Sequence, residues 1–313
     1  MKFLLLFCVS AFYLFADAHI LIYHRFNDDR YPSTNTPNSE LKKQFTYLKD
    51  NNYTVVPLKA IADKLNANES IPDKWVAIAI DDGYKSFLNA LEIFKEFEYP
   101  FSIFVYVQAT EQNYPDFMTW KELKSLEEFN GSLEFHSYAH PHSTKLDKEN
   151  LRKDFEKGLE IFKKRVGYMP NFYSYPYGEF NENVKDIAKE FGFSAILNQN
   201  NGAVDSSSDV YDLDRLAVVG KSNLKTLLSF ETLQVEWQEP KSFPKDSNLT
   251  KVNVKIASNA TKAKLYITDI GWRDIDIKDG IIDENIGQKL TSKRTRIILK
   301  LGNKTSTKII VKD

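Results

Sequence analysis

Two adjacent carboxylates at the end of an apolar run constrain this chain more than any other feature. The run from Val76 to Ile80 has five apolar residues without polar alternation, and Asp81, Asp82 and Gly83 follow it directly. Such a run is typical of a strand buried on both faces, as in a parallel sheet. Neighbouring carboxylates repel each other and resist desolvation, which favours a nearby positive group such as a metal ion. The alternative is a turn and helix cap, because Asp-Gly pairs often follow strands.

The distribution of histidines favours the metal. The chain has five histidines, and three of them (His136, His140 and His142) lie in one short segment after the apolar run ending at Phe135. Neutral imidazole is the commonest protein metal ligand, and one carboxylate with two histidines is a pattern for a catalytic metal. The alternative for His-x-x-x-His is a pair on one helix face, but Pro141 disfavours a helix through this segment.

Length and charge limit the other possibilities. With 313 residues, 42% of them hydrophobic, the chain can bury one large core and a smaller second domain. The 42 basic and 43 acidic residues give a net charge of −1. This balance offers no basic excess for a nucleic-acid partner.

The first 18 residues resemble a secretory signal peptide. Met1 and Lys2 precede an apolar stretch up to Phe15, and Ala16-Asp17-Ala18 fits a cleavage site, although cleavage after Ala16 fits equally well. Cys8, the only cysteine, lies in this segment, so the mature chain is expected to lack disulfides. No later apolar run approaches spanning length. We therefore expect an exported protein of the periplasm, extracellular space or cell surface, with no transmembrane segment in its mature form.

Strand-like and helix-like segments alternate from His19 to about residue 231. Repeated βα units imply a parallel sheet covered by helices. About seven such units favour an α/β fold, a distorted and incomplete (β/α)7 barrel, whose active site should lie at the carboxyl ends of the strands. His24, the Asp81-Asp82 pair, His136 and Pro176-Tyr177 all follow predicted strands. One continuous helix is expected from Tyr84 to Phe97, and a long one from Asp147 to Val166.

Residues 232–313 have a different pattern. Short runs alternate apolar residues with Lys, Thr and Asn, as in 251–256, 264–267 and 295–301. This alternation predicts a small C-terminal all-β sandwich domain, joined through a linker marked by Pro240 and Pro244.

Three motifs in order resemble the polysaccharide deacetylases of carbohydrate esterase family 4, the NodB-homology family. They are Ala79-Ile80-Asp81-Asp82-Gly83, His136-Ser137-Tyr138-Ala139-His140 and Ser174-Tyr175-Pro176-Tyr177-Gly178. The opening Leu21-Ile22-Tyr23-His24 is similar to the branch that deacetylates exported poly-N-acetylglucosamine. The resemblance covers about residues 19 to 220.

Two positions depart from the family pattern. Ser174 replaces the arginine that normally orients the catalytic aspartate, and no histidine follows His142 to supply the usual general acid. The resemblance to the Tyr-His branch implies that His24 serves as the acid instead. Arg215 either replaces the lost arginine or forms a surface ion pair.

The resemblance implies a complete catalytic set. Asp82, His136 and His140 would bind a divalent metal, zinc above all, while Asp81 would act as general base and the backbone N–H of Tyr177 would stabilise the oxyanion. The partner would be an N-acetylated polysaccharide, hydrolysed to acetate and a glucosamine residue within the polymer.

The remaining assignments leave alternatives open. Substrate contacts are expected from Tyr138, Tyr175 and Pro176, with Trp120 as a further stacking candidate. His142 is either an exposed loop residue or an additional ligand or groove residue. Because of the two departures, a non-catalytic carbohydrate-binding protein of the cell envelope, or a structural envelope protein, remains the alternative to an enzyme.

Overall fold

A computed structural model describes residues 17–312, so the predicted signal segment lies almost entirely outside the described residues. The first part of the described chain contains ten strands and eight α-helices. The strands are β1 (His19–Tyr23), β2 (Arg25–Phe26), β3 (Asn35–Thr36), β4 (Thr54–Val55), β5 (Trp75–Ile80), β6 (Phe101–Val105), β7 (Gly131–Phe135), β8 (Phe172–Ser174), β9 (Ala195–Leu197) and β10 (Leu216–Ala217). The helices are α1 (Asn38–Asp50), α2 (Leu58–Asn66), α3 (Leu91–Phe97), α4 (Val107–Glu111), α5 (Trp120–Ser125), α6 (Lys148–Val166), α7 (Glu182–Glu190) and α8 (Leu224–Leu227).

The main sheet is parallel and curves into part of a barrel. Its strand order is β10-β1-β5-β6-β7-β8-β9, with β4 pairing beside β5. A bridge between Leu197 of β9 and Leu213, shortly before β10, brings the two sheet edges together. The predicted distorted, incomplete barrel is confirmed. Because β1 pairs directly with β5, the carboxyl ends of these strands carry His24 and Asp81 to the same edge of the sheet.

Strand β5 shows why the apolar run lacks polar alternation. Val76, Ile78 and Ile80 pack into one hydrophobic cluster, whereas Ala77 and Ala79 pack into a second one on the other face. Both faces are therefore sealed from water, and the polar residues of this segment are confined to its end.

The helix from Asp147 is formed as its sequence predicts. Asp147 caps α6 by accepting a hydrogen bond from the Asn150 N–H, and Gly167 ends the helix with φ 105°. The expectation of one helix from Tyr84 to Phe97 is wrong. A 3₁₀ turn, Lys85–Asn89, precedes α3 instead, and the Asn89 side chain donates a hydrogen bond to the Phe26 carbonyl. Tertiary contacts thus override the helical spacing of the apolar residues.

The strands after residue 230 form two antiparallel sheets with their own core. They are β11 (Glu231–Thr232), β12 (Val235–Glu239), β13 (Asn248–Ile256), β14 (Lys262–Ile267), β15 (Gly271–Asp276), β16 (Ile281–Lys289), β17 (Arg294–Leu301) and β18 (Lys304–Val311). One sheet has the order β11-β18-β17-β14-β15, in which only the β11–β18 pair is parallel, and the other has the order β12-β13-β16. Val252, Leu265 and Ile297 are among the residues buried between them. The domain boundary at 231/232 remains a prediction. Among the described residues, no helix has both the length and the apolarity needed to cross a membrane.

Candidate active site

Four strands of the parallel sheet deliver polar residues to one of its edges. Asp81 and Asp82 follow β5, His136 follows β7, and Ser174 ends β8. His24 directly follows β1 and lies near the same carboxylates, whose charges oppose the lowering of its pKa by burial. The site therefore lies at the carboxyl ends of the strands, where parallel α/β folds place their chemistry.

Within the described residues, Asp82, His136 and His140 form a group that could hold a metal ion, and we call it the metal-ligand group. Asp82 Oδ1 lies 3.3 Å from His136 Nε2 and 3.1 Å from His140 Nε2, and the two imidazole nitrogens are 3.2 Å apart. A tetrahedral zinc ion with bonds of roughly 2.0–2.1 Å would hold its ligand atoms about 3.3 Å apart. The spacing of these three atoms therefore fits a small divalent cation.

Both histidines are oriented by neighbouring groups. His136 Nδ1 lies 2.7 Å from the Ser174 carbonyl, to which it donates, so its Nε2 is left free as a ligand. The Ser137 hydroxyl accepts a hydrogen bond from the His140 N–H at 2.8 Å. Asp154, buried on α6, accepts the N–H groups of Tyr138 and Ala139 at 3.0 and 2.8 Å. This helix carboxylate fixes the loop that carries His140.

Asp81 is held by a buried bidentate ion pair. Arg215 Nη1 and Nη2 each lie 2.8 Å from a different oxygen of Asp81, and both side chains are fully buried. The Ser174 hydroxyl donates to Asp81 Oδ2 at 3.1 Å and accepts from Arg215 at 2.9 Å. Of the two interpretations of Arg215, the surface ion pair is wrong. Arg215 makes to Asp81 the contact expected of the missing arginine, and the Ser174 hydroxyl bonds to both side chains.

Burial and charge compete at each of these groups. Burial alone would raise the pKa of Asp81, but the Arg215 guanidinium and then His136 outweigh it and leave the pKa below its usual value. Burial would also raise the pKa of Asp82, yet hydrogen bonds from His136 and His140 hold it well below the usual range. For His24, burial dominates and lowers the pKa, although the two aspartates oppose it. Both carboxylates are therefore ionised near neutral pH.

Four residues of the site have a left-handed backbone conformation, which residues other than glycine rarely adopt. Asp82, Ser137, His140 and Tyr177 all have φ between 50° and 71°. Such left-handed residues cost of order 1–3 kcal/mol each and concentrate at functional sites. At Ser137, His140 and Tyr177 this conformation is less usual than at Asp82, because Asn and Asp adopt it more readily than other residues.

Tyr177 and His142 lie beside the metal-ligand group. The centroid of the Tyr177 ring is 4.5 Å from that of the His140 ring. His142 stacks on Tyr177, with ring centroids 4.3 Å apart and an angle of 13° between the ring planes. His142 Nδ1 also lies 2.7 Å from a carboxylate oxygen of the buried Glu179. His142 is thus a half-exposed neighbour of Tyr177 and not part of the ligand group.

Some of the expected substrate contacts do not hold. Tyr175 is fully buried, stacks on Phe180 at 4.7 Å and donates its hydroxyl to the Tyr211 carbonyl, so its ring cannot reach a sugar. Pro176 is buried as well.

The other two aromatic candidates are only partly accessible. Tyr138 keeps some exposure, with the Lys157 ammonium 3.9 Å from its ring centroid. Trp120 packs edge-on against Phe162 and donates to Glu111 at 2.7 Å. Sugar contacts by these two residues remain predictions.

Sequence reasoning also missed residues that support the site. The sequence pattern indicates only that Asp154 is part of a helix, whereas the structure places it on the buried face of α6 with Leu151 and Phe155. A carboxylate on an otherwise apolar helix face is unusual and could have drawn attention. Tyr84 was likewise missed. Burial raises the pKa of Tyr84, and the negative charge of the nearby Asp82 raises it further.

Comparison with known proteins gives relatives for most of the first part of the chain. The poly-beta-1,6-N-acetyl-D-glucosamine N-deacetylase of Escherichia coli K12 is 23% identical over 240 residues, covering 63% of this chain. The chain spans about a third of the length of that curated relative, 35%.

Solved structures share the fold. The Streptococcus pyogenes deacetylase PplD superposes with a TM-score of 0.63 at 19% identity, covering 68% of this chain and 98% of PplD. IcaB from Ammonifex degensii gives a TM-score of 0.58 at 22% identity, covering 65% of this chain and 92% of IcaB.

A family model links these similarities to the motifs. The polysaccharide deacetylase model matches residues 68–196, a segment that contains Asp81, Asp82, His136, His140 and Tyr177. The resemblance drawn from the three motifs is thereby confirmed. Over residues 68–196, the chain is similar to the polysaccharide deacetylase family.

Proposed function

We propose that this protein hydrolyses the acetamide groups of N-acetylglucosamine residues in an extracytoplasmic polysaccharide and releases acetate. The observation that carries the proposal is the convergence of Asp82, His136 and His140 beside an Asp81 that Arg215 keeps ionised. A pure binding protein or an envelope scaffold has no need of a paired, buried carboxylate next to a ligand group. Paired and buried charges of this kind are costly to maintain.

The three convergent ligands would hold a divalent cation, with zinc the metal that best suits two imidazoles and one carboxylate. When bound, such a cation activates water and polarises the substrate carbonyl. Asp81 lies beside this group, with its Oδ2 3.9 Å from His136 Nε2. In the proposal it accepts the proton of the attacking water, and Arg215 and Ser174 fix the direction of its free lone pairs.

The remaining roles concern the oxyanion and the leaving group. Tyr177, held in a left-handed conformation with φ 59° and ψ 4°, would direct its backbone N–H at the oxygen that becomes negatively charged. His24 would pass a proton to the departing nitrogen as the C–N bond breaks. The products are acetate and a free amine on the sugar.

His24 gives the proposal a sharp kinetic test. Because burial lowers the pKa of His24, its protonated form disappears as pH rises, and the alkaline limb of the amide pH–rate profile should begin below the usual histidine range. His24→Gln should retain metal, lose about 10²-fold or more in amide hydrolysis, and lose that limb.

An ester substrate supplies the control for this variant. An alkoxide leaves with less need of a proton than an amine, so His24→Gln should lose less activity on an acetyl ester. Equal losses on ester and amide, with the alkaline limb unchanged, would remove His24 from the acid role.

The relative in Escherichia coli, whose name gives poly-beta-1,6-N-acetyl-D-glucosamine, supports this substrate class in the proposal. The predicted signal segment supports action outside the cytoplasm. Acetate release should be measured on poly-β-1,6-N-acetylglucosamine, peptidoglycan and chitin oligomers, and we expect the first to be the best substrate. If metal-loaded protein released no acetate from any of the three but still bound one, it would be a carbohydrate-binding protein instead.

A further inference from the structure

Two loops of the site are joined by side chains that have no role in the mechanism proposed above. One loop follows β7 and carries His140 and His142, and the other follows β8 and carries Tyr177 and Glu179. The Tyr177 ring lies against both histidines of the first loop, with centroid distances of 4.5 Å to His140 and 4.3 Å to His142. Side-chain contacts therefore connect the loop of a metal-ligand residue with the loop of the proposed oxyanion donor.

Glu179 closes this connection. Its side chain is 4% exposed and accepts a hydrogen bond from His142 Nδ1 at 2.7 Å. Among the described residues, His142 is the one side chain that is hydrogen-bonded to this carboxylate. A buried carboxylate without a donor is costly, which favours retention of the contact. Because Glu179 lies only two positions after Tyr177, His142 is bonded to the same loop whose ring it stacks on. We call Tyr177, His142 and Glu179 the loop clamp.

The backbone of Tyr177 requires support from its surroundings. Its φ of 59° and ψ of 4° are left-handed, and a tyrosine keeps such a conformation only where neighbouring contacts fix it. The Gly178 N–H donates to the Tyr175 carbonyl at 2.8 Å, and a Cβ at Gly178 would clash with the Gln199 side chain, so the backbone is closely packed there. These contacts fix the peptide after Tyr177, but they do not involve its ring, which is 38% exposed.

The two histidines restrict the Tyr177 ring from different directions. The ring planes of His142 and Tyr177 are 13° apart, so their flat faces meet, whereas His140 meets the same ring at 66°. Displacement of the ring would therefore open the stack with His142 or press the ring against His140. Because the ring and the backbone share one Cα, a fixed ring limits the rotation of the Tyr177 peptide. An oxyanion donor is effective only when its direction is fixed before the reaction.

We propose that His142 and Glu179 are positioning residues, which hold Tyr177 so that its backbone N–H points at the oxyanion. This inference rests on the proposed function and deepens it. A misdirected donor would weaken binding of the transition state while leaving binding of the substrate unchanged. Loss of the clamp should therefore lower kcat and kcat/KM equally, with KM unchanged.

The first measurement is the steady-state kinetics of acetate release by His142→Ala and Glu179→Ala. Each should lower kcat about tenfold, part of the loss on the order of 10²–10³-fold that follows removal of an oxyanion donor. KM and metal content should stay at the wild-type level. Glu179→Gln keeps an acceptor oxygen for His142 and should restore most of the wild-type kcat. A raised KM at unchanged kcat would make His142 a substrate contact and would overturn the inference.

A double variant tests whether the two residues act as one unit. If Glu179 acts only through His142, the variant with both His142→Ala and Glu179→Ala should lose no more kcat than His142→Ala alone. Losses that multiply would show that the two side chains act separately, which the clamp does not allow.

Hydrogen exchange provides a measurement that needs no turnover. Amides in residues 175–179 should exchange faster in His142→Ala than in the wild-type protein, while exchange in the strands of the barrel stays the same. Tyr168→Ala is the matched control, because it removes a ring of similar exposure, 39%, that is bonded to Glu127 outside the two loops. It should change neither kcat nor exchange in residues 175–179.

Two results of the exchange measurement would contradict the clamp. Faster exchange throughout the barrel in His142→Ala would indicate a general loss of stability in place of a local one. Unchanged exchange in residues 175–179, together with unchanged kcat in both alanine variants, would overturn the inference and leave the deacetylase proposal intact. Failure of the wild-type protein to release acetate from any polymer concerns the proposed function alone, because the exchange measurement still tests the clamp.

Discussion

Asp81→Asn should retain the metal and the fold but lower the rate of deacetylation by on the order of 10²–10⁴. The amide keeps the shape of the carboxylate, and its remaining oxygen can still accept one of the two hydrogen bonds from Arg215, yet it cannot take a proton from water. Metal content by elemental analysis and steady-state acetate release measure the two properties separately. The free energy of unfolding should be followed as well, because Arg215 loses its counter-charge in this variant.

Asp82→Asn is the natural partner for this measurement, since the two aspartates are adjacent and both buried. Asp82 contributes an oxygen to the ligand group, so its replacement should reduce metal affinity as well as rate. If Asp81→Asn lost its metal, or turned over at the wild-type rate while Asp82→Asn kept its metal, the two roles would be exchanged.

Arg215→Met should lower the free energy of unfolding by about 3–5 kcal/mol, the usual cost of leaving one member of a buried ion pair without its partner. Arg215 and Asp81 are both fully buried, and the guanidinium satisfies both carboxylate oxygens. Denaturant unfolding at neutral pH measures this loss. The rate should fall too, because Asp81 would lose its orientation.

A double variant isolates the pair from the packing of the arginine side chain. Asp81→Asn combined with Arg215→Met leaves no unpaired charge, so it should recover part of the stability lost in Arg215→Met alone. If the double variant were as unstable as the sum of the two single variants, the ion pair would contribute nothing, and the effect of Arg215 would be packing only.

Much of the site could be predicted because it depends on local rules. A strand buried on both faces must keep its polar residues at its ends, and parallel strands place those ends along one edge. This logic brings Asp81 and His136 together without knowledge of any long-range contact. The adjacency of β1 and β5 then places His24 within the same group.

Other parts of the site could not be predicted because they depend on packing between distant segments. Arg215 is 134 positions from Asp81, and its surroundings decide whether it is a surface cation or a buried one. Asp154 reaches the loop of His140 only because Gly158, one turn later on α6, lets the helix approach Phe135 and Tyr138. Tyr175 is buried by contacts with Phe180 and Tyr211 that no local pattern indicates.

The pairing of the last strand of the barrel with the first has a consequence for the order of folding. Arg215 immediately precedes β10, and β10 pairs with β1. Contacts between segments this far apart in sequence are entropically slow to form. The three candidate metal ligands lie between residues 82 and 140, but the groups that orient them, Asp154 and the Ser174 carbonyl, lie later in the chain. Asp81 acquires its partner Arg215 later still, when the last strand joins the first, so under the proposed mechanism the general base is the last part of the site to be oriented.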